Sequence, residues 1–169
     1  MDGGRKIGVE DVFGLIAGND DIEGVTISGG EPFLQLDALH TLLKRIRAET
    51  SLSVIIYTGF TYDELRGKKD ERIDEIIEKY TDILIDGPYI DELNDGKSLR
   101  GSSNQIVHFI TDRYEDMRNL FGTPNRSVEV RITNDKLTMI GVPDRKTLEK
   151  ISKLANTIIG PENGNTANT

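Results

Sequence analysis

A glycine pair followed by a carboxylate ends a short apolar run, in the residues Ser28, Gly29, Gly30 and Glu31. Glycine has no Cβ, so a ligand can approach the backbone closely. A carboxylate directly after the pair can receive an ammonium group through charge-assisted hydrogen bonds. The alternative is a tight strand-to-helix turn with an exposed glutamate, since short glycine motifs are weak indicators. The segment is a candidate site for a ligand that carries an amino group.

Polar residues also follow the next two apolar runs. Tyr57 and Thr58 end one of them and can line a pocket, or they can be a β-prone residue and a stop before glycine. Asp86 ends the other, where an aspartate before glycine also suits an ordinary turn.

A polar loop of sequence RGSSNQ occupies residues 100–105. Arg100, Ser102 and Asn104 offer a guanidinium, a hydroxyl and an amide, the groups of a binding loop. A solvated loop accounts for this composition equally well.

The 169-residue sequence contains no cysteine and two histidines, His40 and His108. The absence of cysteine excludes disulfides, thiol catalysis, thiolate-bound zinc and an ordinary cysteine-ligated iron–sulfur cluster. The histidines lie in different segments without metal-ligand spacing. No residue is assigned as catalytic or metal-binding on these grounds.

Repeated βα units must position the polar segments. Helical periodicity covers residues 9–16 and 36–46, and strands are predicted at 24–28, 52–58, 83–85 and 105–110. The strands follow one another at intervals of roughly 20–30 residues, and a βα unit takes about 30. The pattern predicts an α/β fold with a parallel sheet, whose ligands bind at the carboxyl edge of the strands.

The C-terminal part has a different pattern. Alternating residues at 127–132 and 136–140 predict an antiparallel hairpin around Asn134 and Asp135, and Asp144 is a candidate N-cap for a last helix. We expect one domain over residues 1–159, with its core at 5–110, the hairpin and helix at 126–156, and a polar tail at 160–169.

Charge limits the classes of partner. The chain has 21 basic and 29 acidic residues, a formal net charge of −8. A duplex nucleic acid or an anionic membrane surface is therefore a disfavoured partner. No apolar run approaches the roughly 20 residues of a membrane span, and the first residues do not form a signal peptide. We expect a cytoplasmic protein.

Four motifs occur in order: VTISGGEP at 25–32, YTGF at 57–60, LIDGP at 84–88 and RGSSNQ at 100–105. With them the chain, from about residue 3 to about residue 110, resembles the radical S-adenosylmethionine (SAM) activating proteins. The resemblance is closest to the group that activates anaerobic ribonucleotide reductase. It implies an open, partial (β/α) barrel, with the hairpin and last helix as an extension found in some relatives.

The resemblance also implies a chemistry and a partner. Family members hold a [4Fe-4S] cluster on a C-x3-C-x2-C loop after their first strand, cleave SAM reductively and place a glycyl radical on a partner reductase. Gly29, Gly30 and Glu31 match the segment that binds the SAM amino group, with Ser28, Tyr57 and Thr58 beside it. Asp86, Arg100, Ser102 and Asn104 would face SAM or the glycine loop of the reductase.

The sequence departs from this family in having no cysteine. The family alignment places the cysteine loop before Met1, so we expect a chain that lacks the first strand and the cluster loop. One interpretation is a truncated activase, inactive as written, whose upstream reading frame encodes the C-x3-C-x2-C motif. The second is a non-catalytic binding module that keeps the SAM-binding or reductase-docking face. The third is a small α/β binder of an amino-bearing metabolite at Glu31. We also expect self-association through a sheet edge that the first strand would cover.

Overall fold

The computed structural model describes residues 6–97, 99–121, 129–133, 136–140 and 145–158. The first part alternates helices and strands: α1 Val9–Ala17, β1 Gly24–Ile27, α2 Leu36–Glu49, β2 Ser53–Tyr57, α3 Tyr62–Gly67, α4 Glu71–Glu75, β3 Ile83–Asp86 and β4 Ile106–Phe109. Short 3-10 turns cover Pro32–Gln35, Asp91–Leu93 and Asp112–Met117, and a π turn at Ile76–Tyr80 extends α4. The remaining elements are α5 Arg118–Phe121, β5 Glu129–Thr133, β6 Lys136–Ile140 and α6 Arg145–Ile158.

One four-stranded sheet organises the site, in the order β1-β2-β3-β4. β1 pairs with β2, and β2 with β3, in parallel. β3 and β4 are antiparallel, with Asp86 opposite Ile106 and Ile83 opposite Phe109. The α/β class is confirmed, but the prediction of an all-parallel sheet is wrong at β4, because no helix crosses the sheet between β3 and β4.

The core lies between the sheet and the helices. The apolar face of α2 (Leu39, Leu43, Ile46) packs in one cluster with Val54 and Ile56 of β2. Ile73, Ile76, Ile77, Phe13 and Leu84 belong to the same cluster. All four residues of β3 are buried, as expected for a central strand covered on both faces.

The predicted hairpin is present, with β5 antiparallel to β6 and Glu129 opposite Ile140. A last helix, α6, is also present. The predicted turn at Asn134 and Asp135, the predicted cap at Asp144 and the tail at 160–169 lie outside the described residues. Within those residues no helix is both long and apolar enough to cross a membrane.

Candidate functional site

The turn after β1 is built on left-handed glycines. Gly29 has φ +84° and Gly30 has φ +57°, and a Cβ added at either would meet no atom within 4 Å. Another residue would therefore be strained by its backbone rather than by crowding. Open space faces both glycines, and Ser28 beside them is exposed.

Glu31 connects the loop after β1 to the loop after β2. Its Oε1 accepts hydrogen bonds from the Phe33 amide at 3.1 Å and the Thr58 hydroxyl at 2.8 Å. Its Oε2 accepts one from the Gly59 amide at 2.8 Å. The carboxylate thus caps the 3-10 turn at Pro32–Gln35 and fixes the spacing of two strand ends.

The same carboxylate keeps capacity for a ligand. An ionised carboxylate offers about four acceptor positions, and the three hydrogen bonds above leave one of them on Oε2, the oxygen bound to Gly59. Glu31 is half-buried. Thr58, in contrast, is buried and donates its hydroxyl to Glu31 rather than lining an open pocket.

Tyr57 fixes the polar loop that precedes β4. Its hydroxyl donates to the Leu99 carbonyl at 2.6 Å, and Leu99 adopts a left-handed φ of +68°. The predicted pocket-lining tyrosine is therefore the tether of the segment that carries Arg100.

Asp86 is buried, with 3% of its surface exposed. Its Oδ2 accepts from the Tyr62 amide at 2.6 Å and its Oδ1 from the Ile106 amide at 3.1 Å. The Nε2 of His108 lies 3.3 Å from Oδ2, and the His108 ring stacks on Tyr62 with centroids 4.9 Å apart. Asp86 therefore joins α3, β3 and β4, and its carboxylate is not directed to open space.

The loop before β4 is held from within. Ser102 is fully buried and its hydroxyl accepts from the Ile90 amide at 3.1 Å. Asn104 donates to the Pro88 carbonyl at 2.7 Å. Arg100 forms an ion pair with Asp95, both partly exposed. Burial acts to raise the pKa of the Asp95 carboxyl, but the hydrogen bonds from Arg100 and the Lys97 amide outweigh it, so that the net pKa is lowered.

Gln105 is the residue that sequence reasoning missed. Its Oε1 accepts from the Gly101 amide at 2.7 Å and its Nε2 donates to the Gly87 carbonyl at 2.8 Å, which closes the loop between β3 and β4. A Cβ on Gly101 would lie 2.7 Å from Cδ2 of Tyr89, so a larger residue there would displace that ring. The sequence placed Gln105 at the end of the polar loop, but its contact with Gly87, 18 residues earlier, depends on the fold.

The loops after the three parallel strands are joined in series. Glu31 contacts Thr58 and Gly59, and the Gly87 amide donates to the Phe60 carbonyl at 2.9 Å. The predicted site residues therefore share one edge of the sheet. Among them, the glycine pair faces open space and Glu31 keeps one acceptor position.

The residues present do not fit an iron–sulfur cluster. The sequence has no cysteine, and among the described residues no group of three or more histidine or carboxylate side chains is placed to hold a metal ion. Cluster ligation needs thiolates, with histidine as an occasional substitute. No chemical step at this site is therefore derived through a cluster.

Residues 7–108 match the family model described as "4Fe-4S single cluster domain". Three similar curated proteins carry the name anaerobic ribonucleoside-triphosphate reductase-activating protein. The protein of Escherichia coli K12 is 34% identical over 92 residues, that of Haemophilus influenzae 34% over 90, and that of Enterobacteria phage T4 30% over 94. No solved structure matches the chain.

The alignments cover only part of each protein. The three matches include 52%, 51% and 54% of this chain, and 56%, 55% and 56% of the relatives. The chain thus spans about half the length of the curated relatives it matches. The family model covers more than half of the chain and includes β1 to β4 almost entirely.

Proposed function

The chain belongs to the 4Fe-4S single cluster domain family, and from that premise we propose that it serves in the activation of an anaerobic ribonucleotide reductase. Its role is to bind the amino-acid end of SAM at Glu31 and to dock the reductase at the same edge of the sheet. The four-stranded sheet would be part of the open (β/α) barrel that the motifs imply. The relatives' names support the reductase as partner.

The observation that carries the SAM proposal is the geometry around Glu31. One oxygen retains an acceptor position beside two glycines that face open space. The contacts from Phe33, Thr58 and Gly59 hold the carboxylate in place before a ligand arrives, so that little freedom is lost on binding. In this proposal the chain binds SAM and orients its amino group at Glu31.

Calorimetric titration with SAM tests this role. A charge-assisted hydrogen bond contributes about 1.5–3 kcal/mol, so Glu31→Gln should weaken SAM binding by roughly tenfold or more. Glu23→Gln is the matched control, because it makes the same charge change at the exposed, opposite end of β1. Thermal unfolding must accompany the titration, since Glu31 also holds two loops together. Equal SAM affinity of a folded Glu31→Gln variant and the parent would exclude the assignment.

The absence of cysteine favours a second candidate, a binding protein without radical chemistry of its own. Both candidates predict docking to the reductase, which size-exclusion chromatography of a mixture with an anaerobic ribonucleoside-triphosphate reductase would detect. They differ in the reading frame upstream of the Met1 codon. An in-frame C-x3-C-x2-C motif there supports the full activase, and a stop codon supports the binding protein.

A further inference from the structure

We propose that the outer edge of β4 binds an extended acidic segment of a partner protein by β-strand addition. β4 has β3 on one side, and within the described residues no strand lies on the other. The amides of Ile106 and Ile110 donate towards β3, to Asp86 and Asp82 respectively. Because backbone direction alternates along an antiparallel strand, the N–H and C=O of Val107 point away from β3.

A groove of about 340 Å³ runs along this outer edge. Its apolar lining comes from three residues of β4 itself, Ile106, Val107 and Phe109. Ile106 is 57% exposed, an unusual fraction for isoleucine in a sheet. A strand added here would find the outward N–H and C=O of Val107 and an apolar surface to cover.

The charge of the groove specifies the occupant. Lys97, Arg100 and Arg118 line it, and none of the described residues that line it is acidic, on a chain of net charge −8. Arg100 and Arg118 are fixed by ion pairs with Asp95 and Glu115. The pair with Glu115 uses the Nε of Arg118, whose side chain is 46% exposed, so the two terminal nitrogens of that guanidinium can donate to a second carboxylate.

An added strand places alternate side chains on opposite faces. Carboxylates at every second position would meet the three cations, and small apolar residues between them would cover Ile106. A nucleotide fits less well, because Phe109, the aromatic residue of the groove, already carries the Arg118 guanidinium 4.8 Å from its ring centroid. The proposal stands whether or not the chain binds SAM.

Fluorescence anisotropy with a labelled heptapeptide of alternating glutamate and valine or threonine tests the proposal on the full chain. We expect saturable binding that weakens with salt. The same peptide N-methylated on its inward-facing amides cannot form the ladder and should bind at least tenfold more weakly. A peptide with lysine in place of glutamate should not bind. Equal affinities of the N-methylated and unmethylated peptides would overturn strand addition. Displacement of the unmethylated peptide by ATP as readily as by an unlabelled copy of that peptide would also overturn it.

Variants locate the site. Lys97→Glu and Arg118→Glu should each weaken binding of the acidic peptide by about tenfold, since each replaces an attraction by a repulsion of similar size. Lys44→Glu is the matched control, because it makes the same charge change on an exposed part of α2 outside the groove. Circular dichroism should report folded protein for all three. Equal loss of affinity in Lys44→Glu would mean that net charge, not the groove, governs binding, and would contradict the proposal.

Discussion

Asp82 joins three elements through one buried carboxylate. Its Oδ2 accepts hydrogen bonds from Arg47 of α2 at 2.7 Å and from the Val54 amide at 2.8 Å, and its Oδ1 accepts from the Thr111 hydroxyl at 2.7 Å. Only 3% of its surface is exposed. Because removing one partner of a buried pair leaves the other uncompensated, Asp82→Ala should lower the free energy of unfolding by about 3–5 kcal/mol.

Urea unfolding measures this loss. Asp21→Ala serves as control, because Asp21 is exposed and its carboxylate takes part in no ion pair among the described residues. The control should fall within about 0.5 kcal/mol of the parent. A loss below 1 kcal/mol in Asp82→Ala would mean that the three contacts do not hold the sheet to α2.

Two carboxylates, those of Glu75 and Asp82, should make the stability of the fold depend on pH in the acidic range. Hydrogen bonds from Lys79 and His40 lower the pKa of Glu75 to about 2, from 4.5. Burial acts to raise the pKa of Asp82. The hydrogen bonds from Thr111, Val54 and Arg47 lower this pKa by more, so the net pKa is lowered. A carboxylate whose pKa is lowered by folding stabilises the folded state at pH values above its ordinary pKa. This contribution is lost as the pH falls towards the lowered pKa.

We therefore expect stability to decline as the pH falls from about 4.5 to 2. Glu75→Gln should decline less over that window, because it removes one titrating group, and should equal the parent in slope above it. Urea unfolding at several pH values gives both slopes. Identical acid slopes in parent and variant would contradict the role of Glu75.

At this scale the sequence predicted residue types better than their roles. Glu31 lies directly after the two open glycines, where the motif placed it. Asp86 and Ser102 lie at the same edge of the sheet, but their side chains accept hydrogen bonds from the backbone amides of Tyr62, Ile106 and Ile90. A motif records that a polar residue is needed, and only the fold decides whether its partner is a ligand or the chain itself.

The positions of the strands were predicted closely, but the direction of β4 in the sheet was not. Strands expected at 24–28, 52–58, 83–85 and 105–110 occur as β1 to β4, with no end shifted by more than one residue. The direction of β4 could not be read from spacing, because its own pattern is the same in either direction. The missing signal was the segment 88–104, which has no helical periodicity and so cannot form a crossover.

The turn after β1 provides a test at the level of the element. Gly29→Ala and Gly30→Ala each place a Cβ at positive φ and should cost about 1–2 kcal/mol. Gly67→Ala, at the end of α3, meets no atom within 4 Å and has no positive φ, so it should be neutral or stabilising by about 0.5–1 kcal/mol. Thermal unfolding of the three variants gives the comparison, and an equal effect at all three positions would show that backbone conformation is not limiting.

For the whole molecule, the absence of cysteine leads to a prediction about iron–sulfur cluster assembly. With no cysteine, the chain should stay colourless after anaerobic reconstitution with iron and sulfide. Iron analysis and the visible absorption spectrum measure the outcome. Stoichiometric iron with a charge-transfer band would overturn it.

The outer side of β1 gives a prediction about assembly. β1 pairs with β2 alone in the described sheet, and Val25 and Ile27 are partly exposed. Because an open edge of apolar β-branched residues recruits other strands, we propose that the chain self-associates there, and that Thr26→Lys lowers the association. Light scattering and hydrogen exchange at 24–28 provide the measurement. A monomer at high concentration with rapidly exchanging amides would contradict this.

The clamp that Gln105 places on Gly87 has a consequence for protein engineering. The residues between them leave and re-enter the sheet at the same end, and their two ends are held together by one side chain at 2.8 Å. Doubling the length of such a closed segment costs only about 0.6 kcal/mol in chain entropy. Foreign sequence grafted near Asp91–Leu93 should therefore leave the strand register unchanged, while it removes the hydrogen bond from the Ser103 amide to the Leu93 carbonyl.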